Sequence, residues 1–237
     1  MTTHLRRNNI LLVTLTSLLL TACYVEDPGP RQETERAYTV VDFDRLEMGS
    51  GFHIDVEQGS FFSVTVRGDR RNIEDLVVEK QGSTLVIRYR DFRQRRHDTF
   101  IDITMPALRA VNFSGGSESQ VSDFAEAAEM DVHLSGGSVC QLDADATKLY
   151  VILSGGSYLS LRGSGQQLDA DVSGASALKA FHFPVAQADV QLSGASDAEV
   201  SAMHELNIVA TGASHLVYRG NPVVTSDVSD SSSAHED

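Results

Sequence analysis

Apolar and polar residues alternate with a period of two along most of the chain after residue 38. Four short runs show this pattern in the first part of that stretch. They are Phe52, Ile54 and Val56; Phe62, Val64 and Val66; Leu85, Ile87 and Tyr89; and Ile101, Ile103 and Met105. Because successive side chains of a strand point to opposite faces, this period predicts half-buried β-strands. No stretch sustains a helical period, so we predict an all-β fold.

The second half of the chain repeats the alternation around a tetrapeptide. Ser-Gly-Gly-Ser or Ser-Gly-Ala-Ser begins at residues 114, 135, 154, 173 and 193, and Thr-Gly-Ala-Ser begins at residue 211. The intervals are 21, 19, 19, 20 and 18 residues, and a period near 20 is typical of a solenoid. Each unit is predicted to be strand, tight turn, strand. Stacking the units about 4.8 Å apart would build one continuous core.

The first glycine of the tetrapeptide is the same in all six units. These residues are Gly115, Gly136, Gly155, Gly174, Gly194 and Gly212. A position that accepts only glycine indicates a positive φ or a close backbone approach. The second position accepts alanine in three units, which we interpret as a position that does not need positive φ. We therefore expect Gly155→Ala to cost more stability than Gly156→Ala.

The serines of the tetrapeptide are predicted to support the turn and not to act as nucleophiles. A serine nucleophile needs a base within hydrogen-bond reach, and six near-identical copies cannot all have one. There is also no Gly-x-Ser-x-Gly motif between a strand and a helix. We expect the hydroxyls to form ladders and to hydrogen-bond to the turn backbone.

Both ends of the repeat array, which covers about residues 111–220, look irregular. Residues 38–110 are predicted to form an N-terminal cap or irregular first coils, with Met48-Gly49-Ser50-Gly51 as a degenerate turn. Ser229-Asp230-Ser231-Ser232 resembles a decayed seventh turn, whose charge would discourage edge pairing. The folded domain is predicted to span residues 38–232, followed by a polar tail over 233–237.

These features together resemble a known family. Alternating strands, Ser-Gly-Gly/Ala-Ser at intervals near 20 and Gly220-Asn221-Pro222 near the end are similar to the family described as "putative auto-transporter adhesin, head GIN domain". The resemblance covers residues 38–232. It implies a right-handed β-helix-like solenoid with short glycine turns and an adhesin-like role, and it implies no specific ligand or active site. Asp230 departs from the family pattern, because it stands where the other turns have glycine.

The first residues are typical of an exported lipoprotein. Arg6 and Arg7 precede an apolar run from Ile10 to Leu20, which is too short to span a bilayer as a helix. Leu20-Thr21-Ala22-Cys23 resembles a bacterial lipobox, so residues 1–22 are predicted to be a signal peptide and Cys23 to be the lipidated residue. An ordinary secretory signal with a chance cysteine is the alternative. Residues 23–37 are predicted to be a flexible tether.

Lipidation at Cys23 would make the membrane a partner through the lipid anchor. Tyr24 follows the cysteine, and no aspartate stands there; by resemblance to the enterobacterial sorting rule this favours the outer membrane. The formal net charge of −14 should repel nucleic acid and anionic headgroups. The histidines at positions 133, 182, 204 and 215 have no fixed metal-ligand spacing, and no cofactor is predicted. Cys140 is interpreted as a small buried hydrophobe.

A basic run in this acidic chain is the first candidate binding site. It consists of Arg88, Tyr89, Arg90, Phe92, Arg93, Arg95 and Arg96. The arginines could bind the phosphates or carboxylates of an anionic partner such as an acidic glycan, and the aromatic residues could stack on sugar rings. The alternative is an exposed hairpin whose arginines pair with local acids.

An acidic ladder on the outward positions of the repeats is the second candidate. Its members are Asp131, Asp169, Asp171 and Asp189. Asp169 and Asp189 belong to adjacent units and are expected to lie about 5 Å apart. Such a pair could bind a hard cation or serve as the acid and base of a polysaccharide-cleaving enzyme. A solvated acidic face that maintains solubility is the alternative.

The sequence thus favours a lipid-anchored, non-enzymatic β-solenoid that binds a glycan or an envelope protein. A polysaccharide-acting enzyme on a β-helix scaffold and a purely structural envelope component remain as alternatives. Fold analogy alone supports the enzyme weakly.

Overall fold

The structure, a computed structural model, describes residues 29–91, 95 and 97–237. The described chain is a β-solenoid of about seven turns, as the sequence predicted. The elements are β1 (Glu33–Tyr38), β2 (Arg45–Met48), β3 (His53–Gln58), β4 (Ser63–Asp69), α1 (Arg70–Glu74), β5 (Leu76–Gln81), β6 (Thr84–Tyr89), β7 (Thr99–Met105), β8 (Ala110–Phe113), β9 (Glu118–Leu134), β10 (Val139–Leu153), β11 (Tyr158–Val172), β12 (Ala177–Leu192), β13 (Asp197–Ala210), β14 (His215–Arg219), β15 (Val223–Val228) and β16 (Ser233–Glu236).

Each repeat is one long bent strand that runs from one tetrapeptide turn, or corner, to the next. Strands β9 to β13 pair in parallel, with each residue beside its equivalent in the next unit. Leu149 pairs with Leu168, and Cys140 pairs with Leu159. The apolar positions therefore superpose into columns that fill the interior, and these residues are almost completely buried.

The N-terminal coils do not follow chain order. Strand β2 lies between β6 and β8, and β3 lies between β7 and β9. The coil made of β6 and β7 is therefore the outermost one. Strand β4 pairs antiparallel with β7, and β5 pairs antiparallel with β6. These antiparallel strands cover the end of the parallel stack, which is the predicted N-terminal cap.

The sequence pattern does not reveal the short helix α1, because its five residues are too few to show a helical period. Asp69 caps its N-terminus, and the Asp69 carboxylate accepts hydrogen bonds from the side chain of Arg71 at 2.8 Å and from the Gln32 amide at 2.9 Å. These bonds, led by the one from Arg71, hold the pKa of Asp69 well below its usual range.

The folded part extends beyond the predicted bounds at both ends. Strand β1 begins at Glu33, inside the range 23–37 that was predicted to be a tether, and it pairs with β4. Strand β16 occupies the predicted tail and pairs with β14. Both are edge strands held by backbone hydrogen bonds and carrying mostly polar side chains, so an apolar period does not reveal them.

The corners are of two kinds, which corrects the interpretation of the second glycine. In the Gly-Gly corners both glycines have positive φ, as in Gly155 (φ 68°) and Gly156 (φ 87°). In the Gly-Ala corners only the glycine does, as in Gly194 (φ 78°). Positive φ at both central residues defines a type I′ turn, and at the first alone a type II′ turn. The second position needs positive φ in the first kind and not in the second.

The first glycine is also required by a close approach of backbones. A Cβ on Gly155 would lie 3.1 Å from the Gly136 amide nitrogen, and a Cβ on Gly194 would lie 2.6 Å from the Gly174 carbonyl oxygen. A Cβ on Gly156 would meet no atom within 4 Å. The first position is therefore constrained by both conformation and space.

Both degenerate turns predicted from the sequence are corners of the solenoid. Ser50 (φ 72°) and Gly51 (φ 69°) take the two positive-φ positions, so this corner lies one residue later than the predicted tetrapeptide. Asp230 (φ 60°) takes the glycine position of the seventh corner. Its carboxylate accepts a hydrogen bond from the Gly212 amide at 3.1 Å, so its charge lies against the preceding corner.

We predict that Gly155→Ala lowers the free energy of unfolding by about 2 kcal/mol more than Gly156→Ala does. Both variants place alanine at positive φ, but only Ala at position 155 would press against the corner below. A Gly156→Ala corner can also convert to the type II′ form of the later units. Urea unfolding of the two variants measures the difference, and equal losses would contradict this account of the corner.

Candidate functional site

The centre of the predicted basic run is part of the core of the outermost coil. Tyr89 is only 7% exposed, and its hydroxyl lies 2.7 Å from the Thr99 hydroxyl. The Arg95 guanidinium stacks on the Tyr89 ring at 3.5 Å from its centroid and forms an ion pair with Asp75. Burial raises the pKa of Tyr89 above its ordinary value. Both side chains are held in place by these contacts, and they line a depression of about 440 Å³ together with Ser50, Asp91 and Thr99.

The rest of the run is dispersed. Arg88 is exposed and lies 3.6 Å from Glu79, and Arg90 is exposed beside it. Phe92, Arg93 and Arg96 lie outside the described residues. The pairing of Arg88 and Arg95 with acidic neighbours agrees with the alternative interpretation of this segment.

The acidic ladder forms in part. Asp169 and Asp189 are directly paired neighbours on β11 and β12, as expected. Tyr150 separates Asp169 from Asp131 in the same column, and Asp171 occupies the next outward column. Among the described residues, no three His, Cys, Asp or Glu side chains are close enough to hold a metal ion.

Each carboxylate of the ladder's main column has a partner of its own. Asp131 accepts a hydrogen bond from Arg45 at 3.3 Å, Asp169 accepts one from Gln167 at 3.1 Å, and Asp189 accepts one from Asn207 at 2.7 Å. The ladder is therefore a set of locally paired surface acids and not one convergent site.

The corner serines are structural, as expected. The last serine of each of the six repeat corners is almost completely buried. In five of them its hydroxyl donates to the carbonyl of the first residue, as from Ser138 to Ser135 at 2.9 Å, and the Ser176 hydroxyl accepts a bond from the Ser157 amide at 3.1 Å. Cys140 is also buried, and burial raises the pKa of its thiol to about 11. These groups stabilise the coils and have no access to a ligand.

A cleft on the side of the solenoid opposite the corners is the site that the sequence motifs missed. The interval between the first two repeats is 21 residues, and β9 is correspondingly 17 residues long, against 15 in β10. The additional residues shift the register between β9 and β10. Asp123 adopts a positive φ of 68° there, which places Phe124 in the interior. Such bulges and strained residues are common next to functional sites.

We call this depression the bend cleft. It has a volume of about 590 Å³, and buried Leu108 and Phe124 lie at its base. Its lining residues are Arg45, Gln58, Ala107, Leu108, Arg109, Phe124, Ala125, Ala127, Ala128, Glu129, Asp131, Thr147 and Lys148. Small alanines leave the space open, and polar side chains surround it.

The polar groups of the bend cleft are arranged as pairs of opposite charge. Arg45 lies 3.3 Å from Asp131, and Arg109 lies 3.2 Å from Asp44 just outside the cleft. Lys148 is the register partner of Glu129.

Gln58 connects the walls of the cleft. Its side-chain oxygen accepts a hydrogen bond from the Ala125 amide at 3.2 Å, and its amide group donates to the Pro106 carbonyl at 3.0 Å. The bulge is thus fixed to two other segments, which gives the cleft a defined shape. The 21-residue interval between the first two repeats is the sequence feature that could have predicted an irregular coil at the bend cleft.

The chain is a β-solenoid domain with a cleft on the side opposite its corners. Residues 42–222 match the family described as "putative auto-transporter adhesin, head GIN domain", and the chain belongs to this family. The resemblance inferred from the repeats is confirmed. No curated protein matches the chain.

Solved structures of proteins from Bacteroides and Parabacteroides share the fold. A protein of Bacteroides fragilis described as a putative adhesin is 18% identical, with a TM-score of 0.78 over 87% of this chain and 97% of that one. One from Parabacteroides distasonis, described as a putative lipid binding protein, is 19% identical, with a TM-score of 0.71 over 86% and 96%. A second P. distasonis protein, described as a putative adhesin, is 18% identical, with a TM-score of 0.70 over 88% and 98%. At these identities the likeness concerns the fold.

Within the described part of the chain, no helix has the length and apolar character needed to cross a membrane.

Proposed function

We propose that this protein is an exported, lipid-anchored component of the outer membrane that binds a ligand without transforming it. The bend cleft is the proposed ligand site. Membership of an adhesin-named family supports an exported binding role, and the lipobox at Leu20-Thr21-Ala22-Cys23 supports the anchor.

The bend cleft is the observation that carries the binding role. Ligand pockets typically combine an apolar surface with a few placed polar groups. The cleft offers an apolar base at Leu108 and Phe124, cations at Arg45 and Lys148, and an amide at Gln58. The paired cations and carboxylates of the cleft can also bind a ligand that carries both hydrogen-bond donors and acceptors.

An anchor at Cys23 also sets the orientation that we propose. Ten residues from Cys23 to Gln32 precede β1, and a chain of that length reaches at most about 35 Å. Strand β1 belongs to the N-terminal cap, so the cap would face the membrane and the later coils would project away from it. The bend cleft lies near the cap end of the stack.

Lipidation at Cys23 predicts that Cys23→Ser abolishes labelling by an alkyne fatty acid in growing bacteria and moves the protein to the soluble periplasmic fraction. The reason is that the thiol is the acceptor of the acyl-glycerol group and the acyl chains supply the membrane affinity. Cys140→Ala is the matched control and should remain labelled and membrane-bound, since Cys140 is buried. An unlabelled wild-type protein would contradict the proposal.

The bend cleft predicts that Arg109→Glu/Lys148→Glu reduces binding of the ligand by about tenfold or more, because two cations of the site are reversed. The measurement is binding of the purified mature protein to an array of glycans, peptides and phospholipids from bacterial envelopes and host matrix. Circular dichroism verifies that the variant is folded.

Arg88→Glu/Arg90→Glu is the matched control, because it makes the same charge change on the exposed part of the basic run. It should bind within about twofold of wild type, as surface charge changes away from the site do. Loss of binding in this variant alone would move the site to the basic run. If the wild-type protein binds no component of the array, the binding role itself is contradicted.

A further inference from the structure

A second surface, on the outer face of one sheet, has the shape and chemistry of a polysaccharide site. Strands β7, β3, β9, β10 and β11 lie side by side in that order, and two depressions adjoin on them. One has a volume of about 310 Å³ and includes Asp55, Asp102 and Gln120. The other has a volume of about 90 Å³ and includes Gln120, Gln141 and Ser160. Because Gln120 and Ser122 line both, the two form one shallow channel, which we call the strand groove.

The floor of the strand groove is a single column of polar side chains. Asp102 pairs with Asp55, Asp55 with Gln120, Gln120 with Gln141, and Gln141 with Ser160. No hydrogen bond or ion pair of the described chain engages the side chains of Gln120, Gln141 or Ser160. Amide and hydroxyl side chains carry both donors and acceptors, so this column presents unused hydrogen-bonding groups of both kinds along its length.

A second column, one outward position nearer the corners, holds aromatic and apolar side chains together with one carboxylate, Glu118, which lies 3.4 Å from the His53 ring. The Arg67 guanidinium lies 5.7 Å from the centroid of the Phe100 ring. Phe100, His53, Glu118, Val139 and Tyr158 follow one another in it. The His53 ring stacks on Phe100 with centroids 4.9 Å apart, and Tyr158 and Val139 are 38% and 37% exposed. Flat and apolar groups therefore flank the polar column on one side.

The spacing of the two columns favours an extended sugar chain as the ligand. Neighbouring strands repeat about every 4.8 Å, and a sugar unit in an extended β-1,4-linked chain advances by a similar distance. Successive units of such a chain are flipped, so every second unit, about two strands further along, would present the same edge to the polar column. Sugar rings combine hydroxyl edges with apolar C–H faces, which match the polar and the aromatic column respectively. Asp102 is paired with Arg67 and Arg162 lines the groove. The carboxylates of Asp55, Glu57 and Asp143 still leave an excess of negative charge there, so in a chain of net charge −14 the groove would repel uronates and phosphates.

We propose that the strand groove binds an extended, uncharged β-1,4-linked polysaccharide that runs across the strands, parallel to the solenoid axis. Its hydroxyls contact Gln120, Gln141 and Ser160, and its ring faces lie against Tyr158 and the His53–Phe100 stack. Five strands cover about 19 Å, which accommodates four or five sugar units. This site is separate from the bend cleft and does not depend on the function proposed for the cleft.

Isothermal titration calorimetry of the mature protein with cello- and chito-oligosaccharides tests the proposal. Affinity should rise with length up to about four or five units and then level off, as the strand spacing requires. Maltohexaose, whose α-linked chain curves, and an oligogalacturonate hexamer should not bind. Absence of binding by both β-1,4-linked hexamers at millimolar concentration would overturn the proposal.

Variants locate the site. Gln120→Ala/Gln141→Ala should weaken binding by about tenfold or more, since each amide contributes hydrogen bonds to the ligand. Gln187→Ala/Gln191→Ala removes two outward amides of the opposite sheet and should leave affinity within about twofold. Equal losses in the two double variants would overturn the assignment.

The variant of the bend cleft separates the two proposals. Arg109→Glu/Lys148→Glu should keep its affinity for the oligosaccharides. If that variant loses binding while Gln120→Ala/Gln141→Ala retains it, the sugar occupies the bend cleft and the strand groove is refuted. Circular dichroism and thermal unfolding of each variant verify that losses reflect the ligand contacts.

Discussion

Direct contact between the backbones of successive corners is the constraint on which the solenoid depends. Each corner lies on the one below with the first glycine at van der Waals distance, as for Gly155 above Gly136. No side chain fits between them. Since the corner fixes the position of each coil relative to the one below, the residues before and after it lie directly above their equivalents. The apolar residues therefore form continuous columns. In five of the six repeat corners the buried serine also bonds to the first carbonyl of its own turn.

The array could be predicted from the sequence because this constraint repeats. Glycine at every first position and alternating apolar residues on both sides identify the units, their length and their interior residues. The choice between glycine and alanine at the second position also carried information, but it was misinterpreted. It distinguishes two turn types. Where one alanine corner follows another, its second amide donates to the preceding carbonyl, as Ala195 does to Gly174 and Ala213 does to Gly194 at 2.7 Å.

The N-terminal coils could not be predicted in the same detail, because alternation identifies a strand and not its neighbour. Nothing in the pattern places β2 between β6 and β8, or β6 and β7 outermost. The same limit explains the basic run. Tyr89 belongs to an alternating strand and is buried, but the Arg95 guanidinium is buried against it only because Asp75 lies across the fold. Charge in the sequence suggested a surface where the structure has a core ion pair.

The parts of the molecule proposed for binding are those where the repeats differ from one another. The bend cleft exists because one coil has additional residues. The strand groove exists because the outward residues of neighbouring coils vary in charge and polarity, while the inward ones are nearly all apolar. A scaffold fixed by its corners tolerates both kinds of variation, since neither disturbs the backbone contacts.

Amide hydrogen exchange at the corners, followed by NMR, tests the stacking most directly. The amides of Ala195 and Ala213 donate to the carbonyls of Gly174 and Gly194 at 2.7 Å, so they should exchange as slowly as the strand amides beside them. Those of Gly137 and Gly156, at the same position of Gly-Gly corners, have no acceptor in the described chain and should exchange quickly. Equal protection at all four amides would contradict the two-corner account.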